Sequence, residues 1–269
     1  MWLERLVRFG CVTKGFIYFI IGLLSLQVAF GISRQTTDTK GALEAIAVQP
    51  FGKFLLSAVT IGLISYAFWR LVEAVIDPEH STQDPTRIFP RIGYAVSGLS
   101  YASLAFSATE LLLGFYRQEN DSKKDLTGKL LIQPFGQWLV GILGAVIIGM
   151  GMFYLYRACH LRFREQFNLR RISNPGFIWA MHLGRLGVAA RGFVFCLIGF
   201  FLIQAAWNFD PNEARGLDEI LRVIALQPQG KFCLIIVAIG LIAYSIHMLV
   251  EARYRRLTWL QEMLEKEQD

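Results

Sequence analysis

The sequence predicts an all-α integral membrane protein: six transmembrane helices, arranged as three parallel two-helix repeats around a pseudo-three-fold axis. Three observations carry that expectation. A short signal, Gln49-Pro50-Phe51-Gly52, returns as Gln133-Pro134-Phe135-Gly136 and again as Gln227-Pro228-Gln229-Gly230. An upstream set, Arg8, Gly10, Gly15 and Tyr18, returns in nearly the same register as Arg91, Gly93, Gly98 and Tyr101, and then as Arg185, Gly187, Gly192 and Phe195. The 269 residues are 54% hydrophobic and only 18% charged, more apolar and less charged than a soluble domain. Self-similarity at a long fixed period means one structural unit repeated. Each unit has an even number of spans, so all three enter the membrane the same way, and parallel repeats are related by an axis along the membrane normal.

Repeat 1 covers residues 1–76, with spans at about 12–32 and 51–75. Its first span has a basic flank and ends Ala29-Phe30-Gly31, the pattern of a cleavable leader. The same stretch recurs at 95–115 and 189–208, where no leader can lie, so it reads as a retained helix. The second span opens just after Pro50, and proline suits a first helical turn because its missing N–H has no partner there. Repeat 2 covers 77–159, with spans at about 92–115 and 136–158. Repeat 3 covers 160–252, with spans at about 186–207 and 231–252, followed by a cytoplasmic tail over 253–269. Each run is close to the ~20 residues a helix needs to cross the hydrocarbon core. The runs are too long for barrel strands, the other way to satisfy backbone polar groups in lipid. Between spans, Gly41–Val48 and Gly216–Leu226 place apolar residues at helical spacing and suit short surface helices. Leu161–Arg171 is basic with two phenylalanines and suits anionic lipid, and Asn174-Pro175 reads as a helix start.

The Arg-x-Gly start, the Gly-x-x-Tyr on the first helix and the Pro-Phe-Gly opening the second resemble the bacterial membrane proteins grouped as domain of unknown function 1206. The resemblance runs from about Leu6 to Ala252. The third copy departs from it, with Phe195 for Tyr and Gln229 for Phe. It implies a six-helix membrane protein and brings no activity and no catalytic residues.

Most of the 27 Lys and Arg residues fall at one end of the spans, among them Arg5, Arg8, Lys14, Arg70, Arg91, Arg157, Arg185 and Arg191. The positive-inside rule then places both termini in the cytoplasm of a bacterial inner (or thylakoid-type) membrane, and the Gln-Pro signals outside. The net charge of +6 is explained by those flanks rather than by nucleic acid, for which no binding motif is present. The expected partners are the lipid bilayer and another membrane protein.

The chemistry-bearing residues are few. No phosphate loop, metalloprotease motif or nucleophile elbow occurs, and the sequence is not expected to encode an enzyme. Cys11, Cys159, Cys196 and Cys233, with His80, His160, His182 and His247, show no ligand spacing, so neither a metal nor a cofactor is expected. Gly15, Tyr18 and Gly22 share a helix face and suit close helix packing. Arg8, Arg91 and Arg185 open the odd spans where Glu73 and Glu251 close two even ones, which suggests an Arg–Glu clamp within a hairpin or else interfacial anchors; Arg157 takes the Glu position in repeat 2, so that hairpin closes differently. Gln27, Glu110 and Gln204 occupy one register position in the three copies. They form a candidate polar layer at the axis, either interhelical glue or a binding and pathway site. The resulting functional expectation is a non-catalytic membrane subunit or scaffold binding a partner protein, lipid or pigment. The alternative is a small-solute or ion transporter using the polar layer.

Overall fold

The structure, a computed structural model, describes residues 2–32, 37–76, 88–115, 127–128, 130, 133, 135–159, 175–210, 213–227 and 229–254. Eight helices occupy them: α1 (Trp2–Ala29), α2 (Thr39–Ala47), α3 (Gly52–Ile76), α4 (Ile88–Leu113), α5 (Gly136–Cys159), α6 (Pro175–Asn208), α7 (Leu217–Leu226) and α8 (Gly230–Tyr254). Six of them, α1, α3, α4, α5, α6 and α8, are long and apolar enough to cross a membrane. Their outward surfaces carry Phe19, Ile61, Phe68, Phe106, Ile142, Phe153, Phe200 and Ile236, all exposed, as contact with lipid tails requires. The basic segment at 161–171, Asn174, the 77–87 loop, His80, His160, the His182 side chain and the tail beyond 254 lie outside the described residues or side chains.

Two helix ends differ from the hydropathy reading, for a physical reason. Apolar runs mark where lipid is, while helices continue until something stops them. Nothing in Trp2–Cys11 breaks a helix, so α1 starts well before residue 12; α6 likewise starts at Pro175 rather than 186. At the far ends, Gly31 (φ 76°) and Gly114 (φ 75°) adopt the left-handed conformation that reverses the chain. The N–H of Ile32 reaches Gln27 O at 2.9 Å, and that of Phe115 reaches Glu110 O at 3.1 Å, the six-to-one bond of a Schellman cap. In repeat 3 the same bond runs from Asp210 to Ala205 at 3.2 Å, one residue later.

The Gln-Pro signals form one junction built three times. The N–H of Gly52 reaches Gln49 O at 2.7 Å, Gly136 reaches Gln133 O at 2.9 Å, and Gly230 reaches Gln227 O at 2.8 Å. A Cβ on Gly52 would lie 2.6 Å from Ile46 O, and one on Gly230 would lie 2.6 Å from Ala225 O. Glycine therefore lets α3 and α8 start against the terminal carbonyls of α2 and α7. One turn on, Phe54, Trp138 and Phe232 share a repeat position and are all exposed, as aromatics at a membrane interface are.

The chain divides into two compact units. The first comprises Met1–Phe16, Leu43–Phe115 and Met248–Asp269, the second Ile17–Ala42 and Tyr116–His247. In the first, α3 packs along α4, and Gly98 of α4 lies so close to Leu71 that a Cβ would meet its side chain at 2.8 Å. The start of α1 crosses α3 at Gly10, where a Cβ would lie only 2.9 Å from the Tyr66 backbone. Leu56, Leu63, Tyr66, Trp69 and Ala108 form its buried interior.

In the second unit α5 packs along α6, with Gly144 and Gly151 facing Gly199 and Gly192. The remainder of α1 meets α8 in the same way: Gly22 sits on Ala238 O and Ile242, as Gly199 sits on Gly144 O and Ile148. Ala238 and Ile242 are the repeat-3 counterparts of Gly144 and Ile148. The small-residue stripe of the first helix in a repeat thus packs on the second helix of another repeat, where van der Waals contact between backbones replaces the hydrophobic effect. Hydroxyls inside the spans bond back to their own helix, Ser25 to Ile21 O at 2.7 Å and Thr60 to Leu56 O at 2.8 Å, so they need no other partner.

Candidate functional site

Within each described span the ionisable residues are few, which gives each one weight. Lys14 on α1 and Arg191 on α6 occupy one repeat position, with Ser97 in repeat 2. Read by sequence alone they belong to the basic flanks, yet they are only 2% and 7% exposed. They are buried because each lies more than three turns inside its helix, facing a phenol of the next span in its own repeat. Tyr66 and Tyr244 are those phenols, also at one repeat position, where repeat 2 has Met150.

In the first unit Lys14 Nζ donates to the Tyr66 hydroxyl at 2.8 Å. Arg70 Nε donates to the same oxygen at 2.9 Å, and Arg70 Nη1 pairs with Glu73 Oε2 at 2.7 Å. Lys14 also lies 4.6 Å from the Tyr66 ring centroid and 5.2 Å from that of Tyr101. The two rings meet edge to face at 4.6 Å. A buried cation-phenol-cation-carboxylate chain results.

The second unit repeats the arrangement with a different outcome. Arg191 Nη1 donates to the Tyr244 hydroxyl. Its guanidinium carbon lies 4.9–5.5 Å from the ring centroids of Tyr244, Phe195, Tyr154 and Tyr18. Tyr18 and Tyr244 meet edge to face at 4.8 Å, matching the Tyr66–Tyr101 pair. Ring faces carry negative charge density and offset part of the cost of burying a cation. Here the position of Arg70 is taken by Met248, so the second cation of the chain is missing.

Arg191 also lines a cavity of about 310 Å³. Along α6 the lining residues are Arg191, Val194, Phe195, Ile198 and Leu202, one helical face about 16 Å long at 1.5 Å per residue. Tyr18 and Leu241 complete the deep end, while Asp38, Thr39, Thr127 and the segment Ala214–Leu217, including Arg215, line the other. Asp38 Oδ1 accepts from Gly41 N–H at 3.0 Å, an N-cap for α2, and the Arg215 guanidinium lies 4.4 Å from the Phe201 ring centroid.

None of the residues expected from sequence to form a site lines this cavity. Gln27, Glu110 and Gln204 are half-buried and lie within the last five residues of their helices, near the Schellman ends. Gln204 Nε2 donates to Glu213 Oε1 at 3.3 Å, and Asn208 Nδ2 donates to Glu213 Oε2 at 2.8 Å, which ties the α6 end to its following loop. Three of the clamp candidates, Glu73, Arg91 and Arg185, make contacts close at hand. Glu73 pairs with Arg70, three residues away on its own helix, where the geometry is ready-made. Arg91 instead donates to Ala74 O at 3.0 Å and to Val75 O, and Arg185 approaches Cys159 O at 3.5 Å. A cation at the unsatisfied carbonyls of a helix C-terminus is favoured by charge and by hydrogen bonding. These arginines thus cap the last helix of the preceding repeat. Arg8 and Glu251 are half-buried. Among the described residues, no group of three or more His, Cys, Asp or Glu is placed to hold a metal.

Lys14, Arg191 and their phenols were legible in principle. A register table shows a cation opposite a tyrosine in repeats 1 and 3, and a Ser opposite a Met in repeat 2. Arg215 and Tyr154 carried no such signal.

The family described as Domain of Unknown Function (DUF1206) matches three times, at residues 9–77, 92–160 and 186–255. The chain belongs to the DUF1206 family. Each match holds one hairpin of the fold and begins one residue after Arg8, Arg91 or Arg185. The DUF1206 chain is 33% identical over 258 residues to the uncharacterized protein YxxB of Bacillus subtilis (strain 168), which covers 96% of this chain and 93% of that protein. No solved structure matches it. Six apolar helices and three repeats make it a multi-pass protein of a bacterial membrane.

Proposed function

We propose that this DUF1206 protein is a non-catalytic membrane subunit that binds a small lipid-like or pigment-like molecule in the α6 cavity. The observation that carries the reading is a caged arginine, buried in a membrane span, at the end of an apolar cavity. A charge at the centre of a span costs about 2.5–3.5 kcal/mol on insertion scales and by default marks a functional position. The lining is otherwise apolar with a few polar groups at its ends, the usual make-up of a small-molecule site. Among the described lining residues no nucleophile–base pair is formed, which favours binding over catalysis. A pathway through Gln27, Glu110 and Gln204 has less support, since none of the three lines the cavity.

Native mass spectrometry of the protein released from mild detergent tests this reading. A bound molecule of defined mass is expected in the wild type and should be lost in Ile198→Trp, which fills the cavity. Identical spectra for the two proteins would contradict it.

The charge distribution supports placing both termini in the cytoplasm and the cavity's Ala214–Leu217 end outside. Single cysteines at Ser81 and Asn212, in a cysteine-free background, should then differ. An impermeant reagent on intact cells is expected to label Asn212→Cys and spare Ser81→Cys. Equal labelling would overturn the orientation.

A further inference from the structure

We infer that the α6 cavity takes an acidic amphiphile: one apolar chain or compact apolar body bearing a carboxylate or phosphate, with the anionic head against Arg191. The inference rests on the ligand-binding reading above and adds the class of ligand. Charge decides the head group. Two guanidinium groups, Arg191 and Arg215, line the cavity against one carboxylate, Asp38, which caps α2. A guanidinium presents a planar fork of five donors that matches carboxylate and phosphate oxygens. The Tyr244 hydroxyl occupies Nη1, and the rings of Tyr18, Tyr154, Phe195 and Tyr244 surround the guanidinium. Such a ring cage would suit a cationic ligand if it were vacant, but the protein's own cation fills it.

Shape decides the body. Val194, Ile198 and Leu202 line the cavity along one helical face, and Arg191 ends that face. At about 310 Å³ the cavity stands at the lower end of the ~300–1,000 Å³ typical of small-molecule sites, too small for a two-chain lipid but suited to one chain. Arg215 at the opposite end supplies a positive field that draws anions in. The equivalent cation, Lys14, is closed over by Tyr66 and Tyr101 and has the Arg70–Glu73 pair beside it, so the repeat has been opened to a ligand in its third copy.

The test uses the full chain in zwitterionic lipid nanodiscs with matched probes: octanoate, octyl phosphate, octan-1-ol, octylammonium, acetate and inorganic phosphate. Saturable shifts in thermal midpoint report binding. Octanoate and octyl phosphate are expected to bind roughly tenfold or more tightly than octanol, the worth of one charge-assisted hydrogen bond. Octylammonium should not bind. Arg191→Gln should remove the preference for anions, and the wild-type comparison decides the head group even if that variant fails to fold. Equal binding of octanol and octanoate, lost in Ile198→Trp, would overturn the acidic class while leaving the ligand-site reading standing. Acetate or inorganic phosphate binding as tightly as its octyl counterpart would overturn the apolar body and point to a free small anion. Absence of any saturable binding would overturn the inference.

Discussion

Replacing Gly187 by alanine is expected to destabilise the protein by about 3 kcal/mol or more, whereas the same change at Gly93 should be neutral or stabilise it by about 0.5–1 kcal/mol. The two glycines hold one repeat position, so sequence alone assigns them the same role. Their surroundings differ. A Cβ at Gly187 would lie 2.7 Å from the Ala243 carbonyl carbon and still closer to the backbone N and Cα of Tyr244. Backbone atoms cannot rotate aside, so the helices must part, and that would also move the Tyr244 hydroxyl away from Arg191. A Cβ at Gly93 meets nothing within 4 Å and only gains helix propensity. Thermal midpoints of the two variants in one detergent check this. Equal losses would mean that the α6–α8 crossing is wrong.

The second large effect concerns the buried chain in the first unit. Glu73→Gln is expected to cost about 3 kcal/mol or more, since it leaves the Lys14 and Arg70 charges buried around Tyr66 with their carboxylate removed. Glu73 is only 3% exposed, so water compensates little. Adding Lys14→Met should recover part of that loss, because one of the two cations is then gone while Arg70 still donates to Tyr66. The double variant should therefore be more stable than the sum of the two single losses predicts. Strict additivity in unfolding measurements would show that the four residues do not act as a unit.

Much of the fold could be read before the structure. The Gln-Pro-x-Gly junction gave the hairpins and the order of long and short helices, because a glycine pressed against terminal carbonyls, as at Gly52 and Gly230, tolerates no larger residue. The ends of helices were harder. Gly31 and Gly114 stop α1 and α4 inside the apolar run, and hydropathy does not see a left-handed cap. Those caps put Gln27 and Glu110 among the last four residues of their helices. The site was misread for a related reason. A count of flanking cations treats every Lys or Arg near a span end as solvated, so Lys14 and Arg191 were absorbed into topology, although their register opposite Tyr66 and Tyr244 set them apart. Glu73 was placed opposite Arg8 as a clamp within its hairpin, while its own helix also offered Arg70 three residues away. The cavity itself had no sequence signal, because it depends on how completely Val194, Ile198 and Leu202 fill the space beside α6.

Cryo-electron microscopy of the protein in nanodiscs made from its native membrane lipids addresses the ligand-site claim most directly. Non-protein density is expected along the Val194–Ile198–Leu202 face of α6, ending against the guanidinium of Arg191 inside its ring of Tyr18, Tyr154, Phe195 and Tyr244. A groove closed by protein side chains, with Arg191 turned out to the membrane surface, would contradict the account.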